Sequence, residues 1–201
     1  MIEKIGNRFQ KRAAHYDNPL TAYIGERELR IIRPLVPPGS LVLDYGCGTG
    51  RSALDHARRG CSVTAYDLSP NMLSVAENKA KQIGIEVEFT SSVQQLAGRI
   101  WPLVTCIGVL DYYPDAKPLL LELSRYLDEN GKLIVTWPNA LSPFGWLYFI
   151  LSRFTIPSTP RTPMFVRRVA EDVGLKVSLL RYAFPGLSPL GHTLVAELRR
   201  A

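Results

Sequence analysis

The segment of residues 41–50 restricts the choice of folds more than any other part of the chain. An apolar run leads to Asp44, and glycines then occupy every second position up to Gly50. This pattern predicts a buried parallel strand, a tight loop and a helix that begins near Arg51. Glycine lets the loop turn sharply and approach a ligand closely, and the helix behind it offers free N–H groups.

A second acidic residue follows the next predicted strand. Asp67 comes directly after residues 62–66 and lies 21 residues beyond Gly46. At this spacing, a neighbouring strand of an open α/β sheet presents a carboxylate to ribose hydroxyls. Strand and helix patterns alternate along the rest of the core, with strand three expected over residues 85–90, strand four over residues 101–110 and a turn over residues 128–131. This alternation predicts right-handed crossovers and a parallel sheet.

Together these motifs resemble class I S-adenosylmethionine-dependent methyltransferases. The resemblance rests on two motifs, D-x-G-x-G-x-G at residues 44–50 and D-L-S-P-N-M-L at residues 67–73. A nicotinamide-binding loop reads G-x-G-x-x-G instead, and its pyrophosphate favours a helix N-terminus without a nearby carboxylate. S-adenosylmethionine carries a sulfonium and an ammonium, which a carboxylate suits. The resemblance extends over about residues 12–200, but its specific motifs lie within residues 41–115.

The resemblance implies a Rossmann-like, doubly wound α/β fold. Its seven-stranded sheet is mostly parallel, helices cover both faces, and the last strand is antiparallel between strands five and six. The implied cofactor is S-adenosyl-L-methionine, and the product is S-adenosyl-L-homocysteine. The positions implied to bind the cofactor are Tyr16, Asp44, Gly46, Cys47, Gly48, Asp67, Leu68, Met72, Ser92, Val93 and Ile107. For Tyr16, packing of one helix on another is an equally weighted alternative, and for Cys47 a small filler residue is favoured over catalysis.

The chain departs from the family pattern at two positions. Ser92 stands where relatives carry an acid that binds the adenine amino group, although a hydroxyl can also accept that bond. Tyr112 stands where relatives often carry a histidine. A general base is therefore not supplied at the usual place.

Candidate catalytic groups are Asp111, at the carboxyl end of strand four, and His192, in a late loop. His15 is a third candidate base, and for each histidine an ordinary structural role is the favoured alternative. Tyr112, Tyr113 and Trp146 are expected to line the substrate pocket. The dispersed histidines and the lack of an acid cluster predict no metal site.

We expect a single methyltransferase domain over residues 1–201. Its parts are an N-terminal helical lid (1–36), a cofactor-binding core (37–140), an apolar insertion or substrate cap (141–165), and a C-terminal helix with two strands (166–201). Residues 144–151 carry no charge but are too few to cross a bilayer. They fit a core helix, a wall of an apolar substrate pocket or a segment at a membrane interface.

Charge and cysteine content limit the partners and the compartment. The net charge is +6, and the basic excess lies in residues 1–33 and 155–201, which favours an acidic partner or simply a solvated basic surface. The 3 cysteines have no C-x-x-C spacing, and the N-terminus has no apolar signal segment. We therefore expect a cytoplasmic protein with reduced thiols, with peripheral membrane contact as an added interpretation.

The leading functional hypothesis is methyl transfer to oxygen or carbon of a small, lipophilic or ring-bearing acceptor. Methylation of RNA is an alternative that the basic ends would serve. The chain shows no appended RNA-binding domain, no N-P-P-Y motif and no catalytic cysteine pair, so a nucleic-acid partner is disfavoured. A cofactor-binding regulatory protein without catalysis is the third hypothesis, motivated by the two departures from the family pattern.

Overall fold

The fold is a single seven-stranded sheet with helices on both faces. The computed structural model describes residues 9, 10, 13, 16–143, 146, 150, 158–183 and 191–201. The strands are β1 (Leu41–Tyr45), β2 (Ser62–Tyr66), β3 (Glu88–Thr90), β4 (Trp101–Cys106), β5 (Leu127–Pro138), β6 (Leu175–Ala183) and β7 (Thr193–Arg200). Their order is β3-β2-β1-β4-β5-β7-β6.

The first five strands pair in parallel, and β7 runs antiparallel between β5 and β6. This arrangement confirms the predicted fold class and the predicted position of the last strand. The carboxyl ends of β1, β2 and β4 meet at one edge, where ligands bind in open α/β sheets.

The main helices lie where the sequence signals place them. They are α1 (Pro19–Ile32), α2 (Arg51–Arg58), α3 (Pro70–Gln82), α4 (Lys117–Arg125) and α5 (Pro163–Glu171). The Ser69 hydroxyl accepts the N–H of Met72, and the Thr162 hydroxyl accepts that of Phe165, so each caps the helix that begins with the following proline. Short 3-10 turns cover Arg33–Leu35, Val93–Leu96 and Leu110–Tyr112.

Apolar side chains form one cluster on each face of the sheet. Ile32 of α1 and Ala53 of α2 join one cluster, whereas Leu120 of α4 and Val166 of α5 join the other. Because successive strand residues point to opposite faces, strands such as β1 and β4 contribute to both clusters. The sheet is therefore the middle layer of three, and its ends are left free to carry the loops.

Three predicted boundaries were wrong. The third strand was expected from residue 85, but β3 begins at residue 88 because the Ile85 N–H closes the preceding helix by donating to the Ala80 carbonyl. The fourth strand was expected to reach residue 110, but β4 ends at residue 106. Residues 128–131 were expected to form a turn, yet they bulge within β5, where register shifts against β4.

No helix in the described part of the chain combines the length and apolar character that a bilayer span requires.

The core contribution of α4 can be tested at two adjacent leucines. Leu120 is 0% exposed and Leu121 is 45% exposed. We expect Leu120→Ala to lower the free energy of unfolding by about 2–5 kcal/mol, because it leaves a cavity in the packed layer. Leu121→Ala should change it by less than about 0.5 kcal/mol. Urea unfolding followed by circular dichroism measures both, and equal losses would contradict the assigned burial.

Candidate functional site

The glycine loop after β1 is tied to the end of β2 by hydrogen bonds. The N–H groups of Gly46 and Cys47 donate to the Tyr66 carbonyl at 2.7 and 2.9 Å. The Gly48 N–H donates to Asp67 Oδ2 at 2.8 Å. A Cβ on Gly46 would lie 2.4 Å from Val109 Cγ2, whereas one on Gly48 would meet no atom within 4 Å. Gly46 is thus needed for packing, and Gly48 keeps space open beside the loop.

Asp67 keeps hydrogen-bonding capacity for a ligand. Its Oδ1 accepts the Ser69 N–H at 2.8 Å, and its Oδ2 accepts the Gly48 N–H. A carboxylate has about four acceptor positions, so each oxygen can take one more donor. Burial raises the pKa of Asp67, against the two backbone N–H bonds that lower it.

A cavity of about 340 Å³ opens at the carboxyl ends of the parallel strands. Eleven of the residues singled out from the sequence line it: Tyr16, Gly46, Cys47, Gly48, Asp67, Leu68, Met72, Val93, Ile107, Tyr112 and Tyr113. Burial raises the pKa of the Cys47 thiol well above its usual value, so this cysteine is poorly suited to act as a nucleophile.

Asp44 does not line this cavity, contrary to its expected place in a cofactor site. It is 1% exposed, its Oδ2 accepts the Ser52 hydroxyl at 2.6 Å, and its Oδ1 accepts the Thr105 hydroxyl at 2.7 Å. The alternation of side chains along β1 turns Asp44 toward α2 and Tyr45 toward the opposite face. Asp44 therefore links β1 to β4 and to α2 beneath the loop.

Ser92 is also absent from the cavity wall. Its hydroxyl donates to Gln94 Oε1 at 2.9 Å, and its N–H donates to the Thr90 hydroxyl. Ser92 faces a separate surface groove, while the adjacent Val93 faces the cavity. The family position that usually carries an acid thus holds a hydroxyl that is already bonded within its own turn.

The two candidate catalytic residues meet in a smaller cavity of about 90 Å³. Asp111 and His192 both line it, and it shares Tyr16, Tyr112 and Arg51 with the larger cavity. The two cavities are therefore neighbours, separated by side chains that belong to both.

The Asp111 carboxyl is buried and incompletely hydrogen-bonded. It is 4% exposed, and its Oδ1 has no hydrogen-bond partner among the described residues. Burial raises the pKa of Asp111 to about 7, and the nearby charge of Glu28 adds to the increase. A carboxyl that titrates near neutrality can accept a proton from a substrate at physiological pH.

His192 is held in one tautomer by a chain of hydrogen bonds. The Thr193 hydroxyl donates to Glu28 Oε1 at 2.9 Å, because a carboxylate can only accept. Thr193 must then accept from His192 Nδ1, which lies 2.9 Å away, so this nitrogen carries the hydrogen. Burial lowers the pKa of His192 and favours the neutral imidazole. Glu28 is also paired with Arg51 at 2.9 Å.

Several charged residues at the site were missed by the sequence analysis, among them Asp17, Glu28, Arg51 and Glu122. Arg51 and Glu122 both line the larger cavity, from α2 and α4. The Arg51 side chain reaches Glu28 by crossing α1 at Gly25. A Cβ on Gly25 would lie 1.7 Å from Arg51 Nη1. The glycine inside a helical pattern was the available signal, since such a residue often marks a close approach.

The described residues before α1 close one side of the larger cavity. Phe9 packs edge-on against Tyr16 and Tyr112, with ring centroids 6.0 and 5.1 Å away. Asp17 accepts the Thr49 hydroxyl at 2.9 Å and pairs with Lys79. Tyr16 therefore both packs against a neighbouring ring and faces the cavity. His15, the third candidate base, lies outside the described residues.

Trp146 is not a wall of either cavity among the described residues. It is 51% exposed, and its indole N–H donates to the Ala140 carbonyl at 2.9 Å. Its assignment to the substrate pocket is therefore not supported by its position. Of the apolar stretch 144–151, only Trp146 and Ile150 are described.

Comparison with known proteins adds the following matches. Residues 42–131 match the methyltransferase domain family. The ubiquinone biosynthesis O-methyltransferase of Xanthomonas axonopodis pv. citri is 35% identical over 109 residues, which cover 52% of this chain and 46% of that protein. The chain of Rickettsia canadensis with the same name is 23% identical over 151 residues, covering 70% of this chain and 64% of its own. This chain thus spans about half the length of the first of these relatives.

Solved structures share the fold. Magnesium protoporphyrin IX methyltransferase from Synechocystis PCC 6803, crystallised with S-adenosylhomocysteine, aligns with a TM-score of 0.71 and 22% identity over 96% of this chain and 93% of its own. The pyocyanin biosynthetic protein PhzM aligns with a TM-score of 0.74 and 16% identity over 96% of this chain and 62% of its own.

The raised pKa of Asp111 predicts a pH-dependent stability. The native state holds the Asp111 proton up to about pH 7, whereas an unfolded aspartate loses it near pH 4. The contribution of Asp111 to the free energy of unfolding is therefore fully present below about pH 4 and is lost as the pH rises through 7. We expect Asp111→Asn to become more stable relative to the wild type by up to about 4 kcal/mol between pH 4 and pH 8. Thermal unfolding measured across this range would contradict the assignment if the difference stayed constant.

Proposed function

We propose that this chain, in which residues 42–131 form a class I S-adenosylmethionine-dependent methyltransferase domain, transfers a methyl group from S-adenosyl-L-methionine to a small acceptor. The observation that carries the proposal is the convergence of the glycine loop and Asp67 on one cavity at the carboxyl ends of the parallel strands. The O-methyltransferase relatives support methyl transfer to oxygen.

The residues of the larger cavity fit the proposed cofactor. Gly48 leaves space where a side chain would fill the loop, and Asp67 retains two acceptor positions for the ribose hydroxyls. Leu68 lines the cavity yet is 46% exposed, so a flat adenine ring would cover apolar surface there. When bound, S-adenosylmethionine supplies an already activated methyl group, and the protein's task is to align the acceptor with it.

We assign the acceptor to the junction of the two cavities. Phe9, Tyr16, Tyr112 and Tyr113 give the larger cavity aromatic walls, which suit a ring-bearing or lipophilic molecule. Burial raises the pKa of Tyr16 and of Tyr113 to about 12, so both stay protonated and can donate hydrogen bonds. The cavity beyond them holds Asp111.

Asp111 is the proposed general base. An acceptor hydroxyl becomes a better nucleophile as its proton moves to Oδ1 of Asp111, which has no hydrogen-bond partner among the described residues. The neutral imidazole of His192 lines the same space. Because its hydrogen is on Nδ1, its other ring nitrogen is a hydrogen-bond acceptor and does not donate to the Asp111 carboxylate. Transfer would break the bond between sulfur and the methyl group and form one between the methyl group and the acceptor oxygen, with S-adenosylhomocysteine, a neutral thioether, as the second product.

The remaining domain divisions are proposals as well. We propose that residues 1–36 form a lid over the cofactor, supported by the contacts of Phe9, Tyr16 and Asp17 with the cavity wall. Residues 141–165 would form a cap near the acceptor. Support comes from the parallel bridge between Asn139 and Arg161, which brings both ends of this stretch beside β5.

Cofactor binding is tested by calorimetry with S-adenosylhomocysteine. Asp67→Ala should weaken binding by about 1.5–3 kcal/mol, because bonds from the ribose hydroxyls to a carboxylate are lost. Gly48→Val should abolish binding, since its side chain enters the space beside the loop. Circular dichroism checks that both variants fold. Wild-type affinity in both would show that the loop and Asp67 serve only the fold.

Catalysis is tested with radiolabelled S-adenosylmethionine and a panel of ring-bearing hydroxyl acceptors. We expect product with at least one acceptor. Asp111→Asn should lower kcat by about 10²- to 10⁴-fold, the usual contribution of a positioned base. Its dissociation constant for S-adenosylhomocysteine should not change, because Asp111 lines the neighbouring cavity. A variant with unchanged kcat would remove Asp111 from the mechanism.

We further propose that the acceptor is lipophilic and is reached at an acidic membrane surface. Trp146, Ile150 and Met164 are 51, 54 and 79% exposed, and exposed apolar side chains of this size favour an interface. Arg167 and Arg168 follow on α5 and are exposed. Arg161 does not join this pair, because it donates to the Pro114 carbonyl at 2.6 Å and lies over the Phe165 ring.

Membrane contact is tested by co-sedimentation with vesicles that contain phosphatidylserine. The wild type should pellet at low salt, and a Met164→Ser, Trp146→Ser double variant should stay in the supernatant because its apolar contact is lost. A double variant with Arg167→Ala and Arg168→Ala should bind the vesicles less, and its binding should become insensitive to salt. A wild type that ignores acidic vesicles at low salt would refute membrane contact.

A further inference from the structure

Glu122 contributes a carboxylate to the wall of the larger cavity, and no sequence motif predicted it. Tyr45 and Tyr66 are register partners at the ends of β1 and β2, and their ring centroids are 4.7 Å apart. Leu119 and Glu122, three residues apart on α4, lie on one side of that helix and also line the cavity. The Tyr45 hydroxyl donates to Glu122 Oε1 at 2.9 Å. Tyrosines thus hold the carboxylate in place at the cavity wall.

The second oxygen of Glu122 remains open to a ligand. Within the described part of the chain, the two donors to this carboxylate, the hydroxyls of Tyr45 at 2.9 Å and Tyr126 at 3.5 Å, both approach Oε1. Oε2 receives no hydrogen bond there. The charge of Glu122 adds to burial in raising the pKa of Tyr66 and of Tyr113, which keeps both phenols protonated beside it.

In the proposed complex, the adenine ring lies against Leu68 after β2 and Val93 after β3. Both residues line the same cavity as Tyr66 and Glu122. Ser92, the residue expected to bind the adenine amino group, faces another groove. Its hydroxyl donates a hydrogen bond to Gln94. The cavity therefore lacks the expected acceptor after β3 but offers a carboxylate from α4.

We propose that Glu122 accepts a hydrogen bond from the exocyclic amino group of adenine and thereby selects adenine over hypoxanthine. This inference rests on the proposed cofactor. The amino group is a donor that matches Oε2, whereas the oxygen at the same position of hypoxanthine would face a carboxylate that can only accept. Leaving such a group unpaired in a partly buried site lowers affinity strongly.

The test compares S-adenosylhomocysteine with S-inosylhomocysteine, in which oxygen replaces the amino group. Isothermal calorimetry gives both dissociation constants for each protein. We expect the wild type to prefer the adenine compound by about 10- to 100-fold, the effect of one bond to a charged group. Glu122→Ala should abolish the preference. Glu122→Gln should narrow or reverse it, because the amide can turn its NH2 toward the hypoxanthine oxygen.

Two further variants separate this role from structural effects. Ser92→Ala should keep the full wild-type preference, because its hydroxyl faces away from the cavity. Tyr45→Phe removes the donor that holds Glu122 and should reduce the preference while the carboxylate is still present. Thermal unfolding checks the fold of each variant, and Tyr45→Phe provides the test if the substitutions at Glu122 do not fold.

The outcomes distinguish this inference from the proposed function. If S-adenosylhomocysteine binds the wild type and Glu122→Ala keeps the wild-type preference for adenine, the role of Glu122 is refuted and the cofactor assignment stands. A loss of preference in Ser92→Ala instead would return adenine recognition to the loop after β3. If the wild type binds neither compound, both the cofactor and the inference fail.

Discussion

Hydrogen bonds between the glycine loop and the end of β2 determine the geometry of the site. The Tyr66 carbonyl accepts two N–H groups of the loop, and Asp67 accepts a third from Gly48. These bonds hold the loop open over the strand ends, where a side chain at Gly48 would meet no protein atom. Asp67, which is expected to bind ribose, thus also shapes the loop. Its substitution therefore acts on both ribose binding and the conformation of the loop.

The alternation of side chains along β1 divides the polar residues between two roles. Asp44 points to one face and links Ser52 with Thr105, which supports the sheet beneath the loop. Tyr45 points to the other face and orients Glu122 at the cavity wall. Neighbouring residues of one strand therefore support the sheet and the cavity wall separately, although the motif specifies only the first of them.

Periodicity and glycine spacing were sufficient to predict the parallel strands and their crossovers, because these depend on local patterns. The antiparallel last strand and eleven residues of the cavity wall were predicted from the family resemblance instead. Contacts between distant segments were beyond such reasoning. Nothing near Ser92 in sequence indicates that its hydroxyl turns to Gln94, or that Glu122 reaches the cavity from α4. The network of Glu28 with Thr193 joins α1 to the last strand, and only the folded chain brings these residues together.

The central claim is that the loop, Asp67 and Glu122 form one binding site for S-adenosylmethionine. A crystal of the protein grown with S-adenosylhomocysteine tests it most directly. We expect density in the larger cavity, with the ribose hydroxyls within hydrogen-bonding distance of Asp67 and the adenine amino group at Glu122. Density for the ligand elsewhere, or a ribose that does not approach Asp67, would contradict the claim.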